Sequence, residues 1–402
     1  MKEKFNLVQK ILFPFYSFLF IFSSINREFL FFGLDLRYIL LPLGLALFIN
    51  GLLDRRKYEK PEKDPVYTCL VIFFVWCLLS NVSWLWSGLD MKPEQMINQN
   101  ILIANNLLAV LVYRRYQQYV KPEKLKKWLV ISCLILVGSF VLTRMGLTLD
   151  QISGSDVRSM SVSTAVADQR NIFGGDFRLA GYAEDANYAS IFLVIGILSV
   201  LQLKIKRYYK IILSVIFLVA FGYSCSKTII FSFVIGLIYF LFAHSLKTEN
   251  SLKRILNRIV PIIILLFALF LPNMALFDNV GTMSVRFKLW GIASETFSAS
   301  PIIGNGISSV RSAVNMEYNN TWYVQTHSNY WQILAETGLV GMVIFLVLMF
   351  KCLNSEKINN FDRFAILIFF IFGITFEIIQ LQMFAYTIYI ADINQKNRRL
   401  HE

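Results

Sequence analysis

Val66-Tyr-Thr-Cys-Leu-Val-Ile-Phe-Phe-Val-Trp-Cys-Leu-Leu-Ser-Asn-Val-Ser-Trp-Leu-Trp86 runs without a single Asp, Glu, Lys or Arg. At about 1.5 Å per residue, a helix of this length covers about 30 Å, the thickness of a bilayer's hydrocarbon core. Outward from it the pattern repeats, with apolar blocks near 11–25, 38–53, 96–113, 128–145, 187–203, 211–225, 228–243, 259–277, 328–350, 363–379 and 380–391. The last two are short and barely separated. Of the 402 residues, 56% are hydrophobic and only 16% charged, against about a quarter in a soluble domain. The 36 Phe residues suit a surface that faces lipid. The expectation is an all-α, polytopic integral membrane protein of about 12 transmembrane helices, forming a single membrane domain over 1–402.

The net charge of +13 invites a nucleic-acid reading, but the placement of the charge argues against one. Basic residues gather in short connections: the N-terminal tail, 54–65, 114–127, 204–210, 244–258, 351–363 and 392–402. More than two thirds of the 39 Lys and Arg fall on that one side, which the positive-inside rule makes cytoplasmic, with both termini. No basic stripe interleaved with aromatics marks a nucleic-acid surface. Lys2, Lys4 and Lys10 precede the first apolar run as in a signal peptide, but no small-residue cleavage site follows Ile11–Ser24, so it reads as a retained helix. Cys69, Cys77, Cys133, Cys225 and Cys352 lack CxxC spacing and read as inert side chains.

Two connections on the outer side, 146–186 and 278–327, are too long to be mere linkers and give a site room to form. Ser, Gly, Asp and Asn fill the first from Leu147 to Phe177, so part of it is expected to be mobile. Chemistry-bearing residues gather where these loops meet helices. Arg178 precedes Glu184, Asp185 and Asn187 at a helix start, where a guanidinium suits phosphate and the polar residues suit N-capping. Arg286 and Trp290 are spaced to share one helix face, and Pro301, Gly304 and Gly306 then mark a tight turn. The bland reading of Arg286 is an anchor at lipid headgroups. His327 opens a spanning helix, where imidazole can accept a proton from a hydroxyl group, bind an anion when charged, or serve as an interfacial structural residue.

Glu336 lies nine residues further on, at a depth where a carboxyl group is costly and signals function. It serves substrate, or instead pairs with Arg144, Lys227 or a backbone amide. Gly338 and Gly341 allow close approach of a neighbouring helix. Lys227, in Ser224-Cys-Ser-Lys-Thr228, either snorkels to headgroups or binds substrate. The chain has no phosphate-loop motif, no Gly-x-Ser-x-Gly and no Asp-x-Asp. His244 and His401 fall on the cytoplasmic side. No metal and no cofactor are expected. Arg and His acting alone suit a substrate that carries its own leaving group.

At these segments the chain resembles the O-antigen ligase and Wzy-type polymerase family of bacterial surface-polysaccharide enzymes. His327-Ser328, nine residues, Gly338, two residues and Gly341 fit that family's His-[Asn/Ser/Gln]-x9-Gly-x2-[Gly/Thr/Tyr] pattern. Arg286 to Trp290 with Pro301 to Gly306, and Arg178 with Gly181 and Asn187, resemble its two preceding motifs. Lys227 stands where many members carry Arg, and Ala186 where many carry Pro. The resemblance implies a GT-C-like fold in the bacterial cytoplasmic (inner) membrane. It further implies metal-independent, inverting transfer of a glycan from undecaprenyl diphosphate to an acceptor at the outer face. On that reading Arg178 and Arg286 hold the diphosphate and His327 orients or deprotonates the acceptor. Lys227, Asn187, Trp290 and Glu336 are the other substrate-side candidates, Glu336 positioning a helix or the histidine rather than touching sugar, and Gly304, Gly306, Gly338 and Gly341 are structural. Polymerase is the favoured reading, ligase the second and a lipid-linked sugar transporter the third. A chain-length regulator and a flippase are the partners implied.

Overall fold

The computed structural model describes residues 11–27, 29–31, 34–53, 64–88, 93–116, 121–145, 178–183, 185–245, 251–273, 281–318 and 326–378. Its helices are α1 (Phe13–Ile25), α2 (Leu36–Leu53), α3 (Pro65–Leu79), α4 (Pro93–Tyr116), α5 (Pro122–Arg144), α6 (Ala186–Gln202), α7 (Arg207–Ser224), α8 (Lys227–Ser245), α9 (Ser251–Phe270), α10 (Gly281–Ala299), α11 (Ser309–Tyr318), α12 (Asn329–Asn354) and α13 (Asn360–Phe372). Two short strands, β1 (Leu30–Phe31) and β2 (Leu34–Asp35), pair antiparallel between α1 and α2. Seven helices among the described residues are long and apolar enough to cross a membrane, and three shorter ones are apolar. The chain is thus an all-α polytopic membrane protein.

Eleven of the apolar blocks coincide with helices, and their ends follow from local chemistry. α3 starts where Asp64 accepts hydrogen bonds from the N–H groups of Val66 and Tyr67, with Pro65 at the first helical position. The block expected over 363–379 stops being helical at Phe372. There the N–H of Asn329 donates to the carbonyls of Gly373 (2.8 Å) and Phe376 (3.1 Å), and the Asn329 Oδ1 accepts from Ile378. One asparagine therefore holds 373–378 as a bent tail. The span expected over 380–391, most of the first outer loop (146–177) and Glu184 lie outside the described residues.

The described residues form two compact units, one within 1–57 and 112–234, the other within 58–111 and 235–395. In the first, α1 packs on α2 and α5, α5 on α6, and α6 on α7. Small groups make these contacts close. A Cβ on Gly196 would touch Cys133 and Phe217. In the second, α12 is the hub, with α3, α9, α10, α11 and α13 packed around it.

Candidate active site

In the first unit, Arg178 is buried beside the start of α6 and the turn joining α7 to α8. Its Nε donates to the Ser224 carbonyl at 2.6 Å and its Nη2 to Asn187 Oδ1 at 2.9 Å. The same Asn187 oxygen accepts from the Ser226 hydroxyl at 2.8 Å. Asp185 is the N-cap of α6, as its position suggested, accepting from the Asn187 N–H. The Asn187 side chain, by contrast, serves as an orienting acceptor for Arg178. Burial pushes the Arg178 pKa down, and Asp185 opposes the shift. Lys227 opens α8 with an exposed side chain.

The second unit is built around a break in α12. Gly338 sits at φ 67°, ψ −170°, and the intrahelical ladder fails there. Backbone groups left unpaired in a membrane cost several kcal/mol each. The turn at 300–306 supplies partners. Asn305 N–H donates to the Ala335 carbonyl (2.9 Å) and Gly306 N–H to the Glu336 carbonyl (2.9 Å). On the other side of the break, Leu339 and Val340 donate to the carbonyls of Pro301 (2.8 Å) and Ile302 (3.2 Å). The Trp76 indole satisfies the Thr337 carbonyl at 2.9 Å. Gly304, at φ 80°, lies against the Glu336 backbone, and a Cβ on Gly338 would collide with the Ile302 carbonyl. These two glycines are required by backbone contact, whereas Gly341 abuts the side chains of Thr337 and Trp76.

Glu336 is buried, and protein groups engage both its oxygens. Oε1 accepts from the Ser308 N–H at 3.0 Å and Oε2 from Gln332 Nε2 at 3.2 Å. Of its expected partners, the backbone amide is the one found. The Ser308 amide lies at the start of α11, where the helix dipole favours a carboxyl group. Trp290 is buried as well, donating to the Thr326 carbonyl at 2.8 Å. Glu336 thus ties down the start of α11, and Trp290 ties down Thr326 just ahead of His327.

His327 has φ 50°, in the left-handed region that non-glycine residues seldom occupy. Its N–H donates to Glu377 Oε1, which also accepts from the Thr326 hydroxyl at 3.2 Å. Nδ1 of the imidazole is buried and has no hydrogen-bond partner among the described residues. Phe376 joins the histidine to Arg286. The guanidinium lies 5.1 Å from the ring centroid, and the imidazole meets the ring edge-on at 5.6 Å. Burial pushes the His327 pKa down, Glu377 raises it, and Arg286 adds to the depression. Burial thus favours the neutral, proton-accepting form of the imidazole.

The second unit thus brings Arg286, His327 and Trp290 together and sets Glu336 within the helix that His327 precedes. The sequence reading passed over Phe376 and Glu377, which lie in the apolar run Ile374-Thr-Phe-Glu-Ile378. A carboxylate within such a run was the signal that could have found them.

Comparison with known proteins places a family match over this segment. Residues 212–346 match the family described as O-antigen ligase. A Rickettsia felis protein provisionally named a polysaccharide ligase is 25% identical over 179 residues, covering 39% of this chain. That alignment spans 42% of the relative's own length. No solved structure matches the chain. The family resemblance read from the motifs therefore holds as an O-antigen ligase match, and the matched residues include Arg286, His327 and Glu336.

Proposed function

We propose that the protein is a glycosyltransferase of surface-polysaccharide assembly. It moves a glycan from a lipid-linked diphosphate to an acceptor hydroxyl at the outer face of the bacterial cytoplasmic membrane. The observation that carries this reading is the His327 imidazole, whose Nδ1 has no hydrogen-bond partner among the described residues, set beside Arg286 on the Phe376 ring. The acceptor oxygen attacks the anomeric carbon from the face opposite the leaving group, with inversion. As the new C–O bond forms, the hydroxyl proton passes to His327 and the bond to the diphosphate breaks. The departing oxygens take the electron pair, and Arg286 stabilises their charge. Arg178, held by Asn187 and Ser224, is proposed to bind anionic groups of the donor in the first unit. Both termini are proposed to be cytoplasmic, from the distribution of basic residues.

The polymerase reading, in which the acceptor is another lipid-linked repeat unit, is the one put forward. The ligase reading is the second, and the names of the matched family and relative favour it. Deleting the gene and running the host's cell-surface polysaccharide on a gel separates them, with His327→Ala as the complementing control. Glycan of one repeat unit supports a polymerase. Long lipid-linked chains that never reach their acceptor support a ligase. Glycan trapped on the cytoplasmic leaflet would replace both with a transporter. A chain-length regulator and a flippase are the partners this account calls for.

A further inference from the structure

A carboxylate withdrawn from water needs compensation, and Glu377 is fully buried. One of its oxygens is committed to the His327 N–H and the Thr326 hydroxyl. The other, Oε2, has no hydrogen-bond partner among the described residues. The bond to the His327 amide holds that residue in its strained left-handed conformation. The neighbouring Phe376 ring carries the Arg286 guanidinium on one side and the His327 imidazole at its edge. It also stacks on Phe372 at 4.7 Å, while its own carbonyl is tied to Asn329. Both side chains therefore sit on a clamped backbone and reach the two groups on which transfer depends.

We propose that Phe376 and Glu377 are positioning residues of the transfer reaction. Phe376 sets the spacing between the leaving-group cation Arg286 and the proton acceptor His327. Glu377 fixes the His327 backbone, and with it the orientation of the imidazole that takes the acceptor's proton. This rests on the glycosyl-transfer reading above. The positioning matters because a displacement of about 1 Å in a reacting group costs on the order of a hundredfold in rate.

The test uses the purified full-length protein in detergent, with lipid extract from the host's membranes supplying lipid-linked glycan and acceptor. Glu377→Gln should lower kcat about 10- to 100-fold with KM nearly unchanged, because binding is left to other groups. Among the described residues, the charged groups that act on His327 are Glu377 and Arg286, and Glu377 raises its pKa. Removing that charge should move the acid limb of the rate profile to lower pH, and Glu377→Asp should restore part of both losses. Phe376→Leu should cost about tenfold in kcat, and Phe376→Tyr, which keeps the ring, should cost little.

Wild-type kcat in Glu377→Gln overturns the proposal. So does a loss with an unmoved acid limb that Glu377→Asp does not relieve, since that marks a purely structural role. If Glu377→Gln fails to accumulate, the two Phe376 variants decide, and equal rates in both overturn it. His327→Ala separates the two levels of the argument. An active His327→Ala defeats the transfer reading itself, whereas an inactive one beside a normal Glu377→Gln defeats only the positioning roles.

Discussion

The N–H of Gly306 donates to the carbonyl of Glu336 across 2.9 Å, and this bond helps to close a gap in the longest helix of the second unit. Turn and helix complete one another there. Neither the break at Gly338 nor the turn at 300–306 would be tolerable alone in a low-dielectric surround.

Gly338→Ala should therefore destabilise the protein. The positive φ alone costs on the order of 1–3 kcal/mol for a residue with a Cβ, and the new methyl would meet Ile302 and Gly304 backbone. The measurement is the thermal midpoint in detergent, which should fall by several degrees with parallel loss of activity. An unchanged midpoint would mean that the break is not rigidly paired.

Trp290→Phe keeps the aromatic volume but leaves the buried Thr326 carbonyl without its indole donor. The expected loss is about 1–3 kcal/mol of stability. Activity should fall mainly through kcat, since the indole is buried against protein. A raised KM with normal kcat would instead place Trp290 in contact with substrate.

Arg286→Lys preserves the charge but loses the planar fork and its seat over Phe376. A drop in kcat/KM of about 10- to 100-fold is expected, or roughly 1.4–2.8 kcal/mol of transition-state stabilisation. Full activity in this variant would reduce Arg286 to a point charge.

In the first unit, Asn187→Leu removes the acceptor shared by Arg178 and Ser226. Arg178 would keep its bond to the Ser224 carbonyl but lose its second tether. The rate of transfer should fall about tenfold or more, and Asn187→Asp should fall less because a carboxylate still accepts from the guanidinium.

Much of this was legible beforehand because membranes impose simple rules. Length and absence of charge located eleven of the helices, and the Asp185 cap followed from its place before an apolar run. The glycine spacing after His327 reads as close approach of a helix, whereas at Gly338 the helix breaks and the 300–306 turn is what comes close. What escaped the reading depends on contacts distant in sequence. Nothing near Trp290 announced that it would bond Thr326. Nothing local to the run around Phe376 indicated that α13 would end early and send Glu377 back to His327. Only the energetic oddity of a buried carboxylate hinted at it.

On the proposed mechanism, His327 takes the proton of the acceptor hydroxyl. The most direct test is the pH dependence of transfer by the purified protein, wild type against His327→Ala, at matched protein level. A base must be deprotonated to work, and the His327 pKa is lowered from 6.5 by burial, with Glu377 opposing and Arg286 reinforcing. Wild-type activity should therefore hold as pH falls past 6.5 and decline only below it, while His327→Ala loses transfer by at least about a hundredfold at every pH. Wild-type rates in His327→Ala, with the same acid limb, would contradict the account.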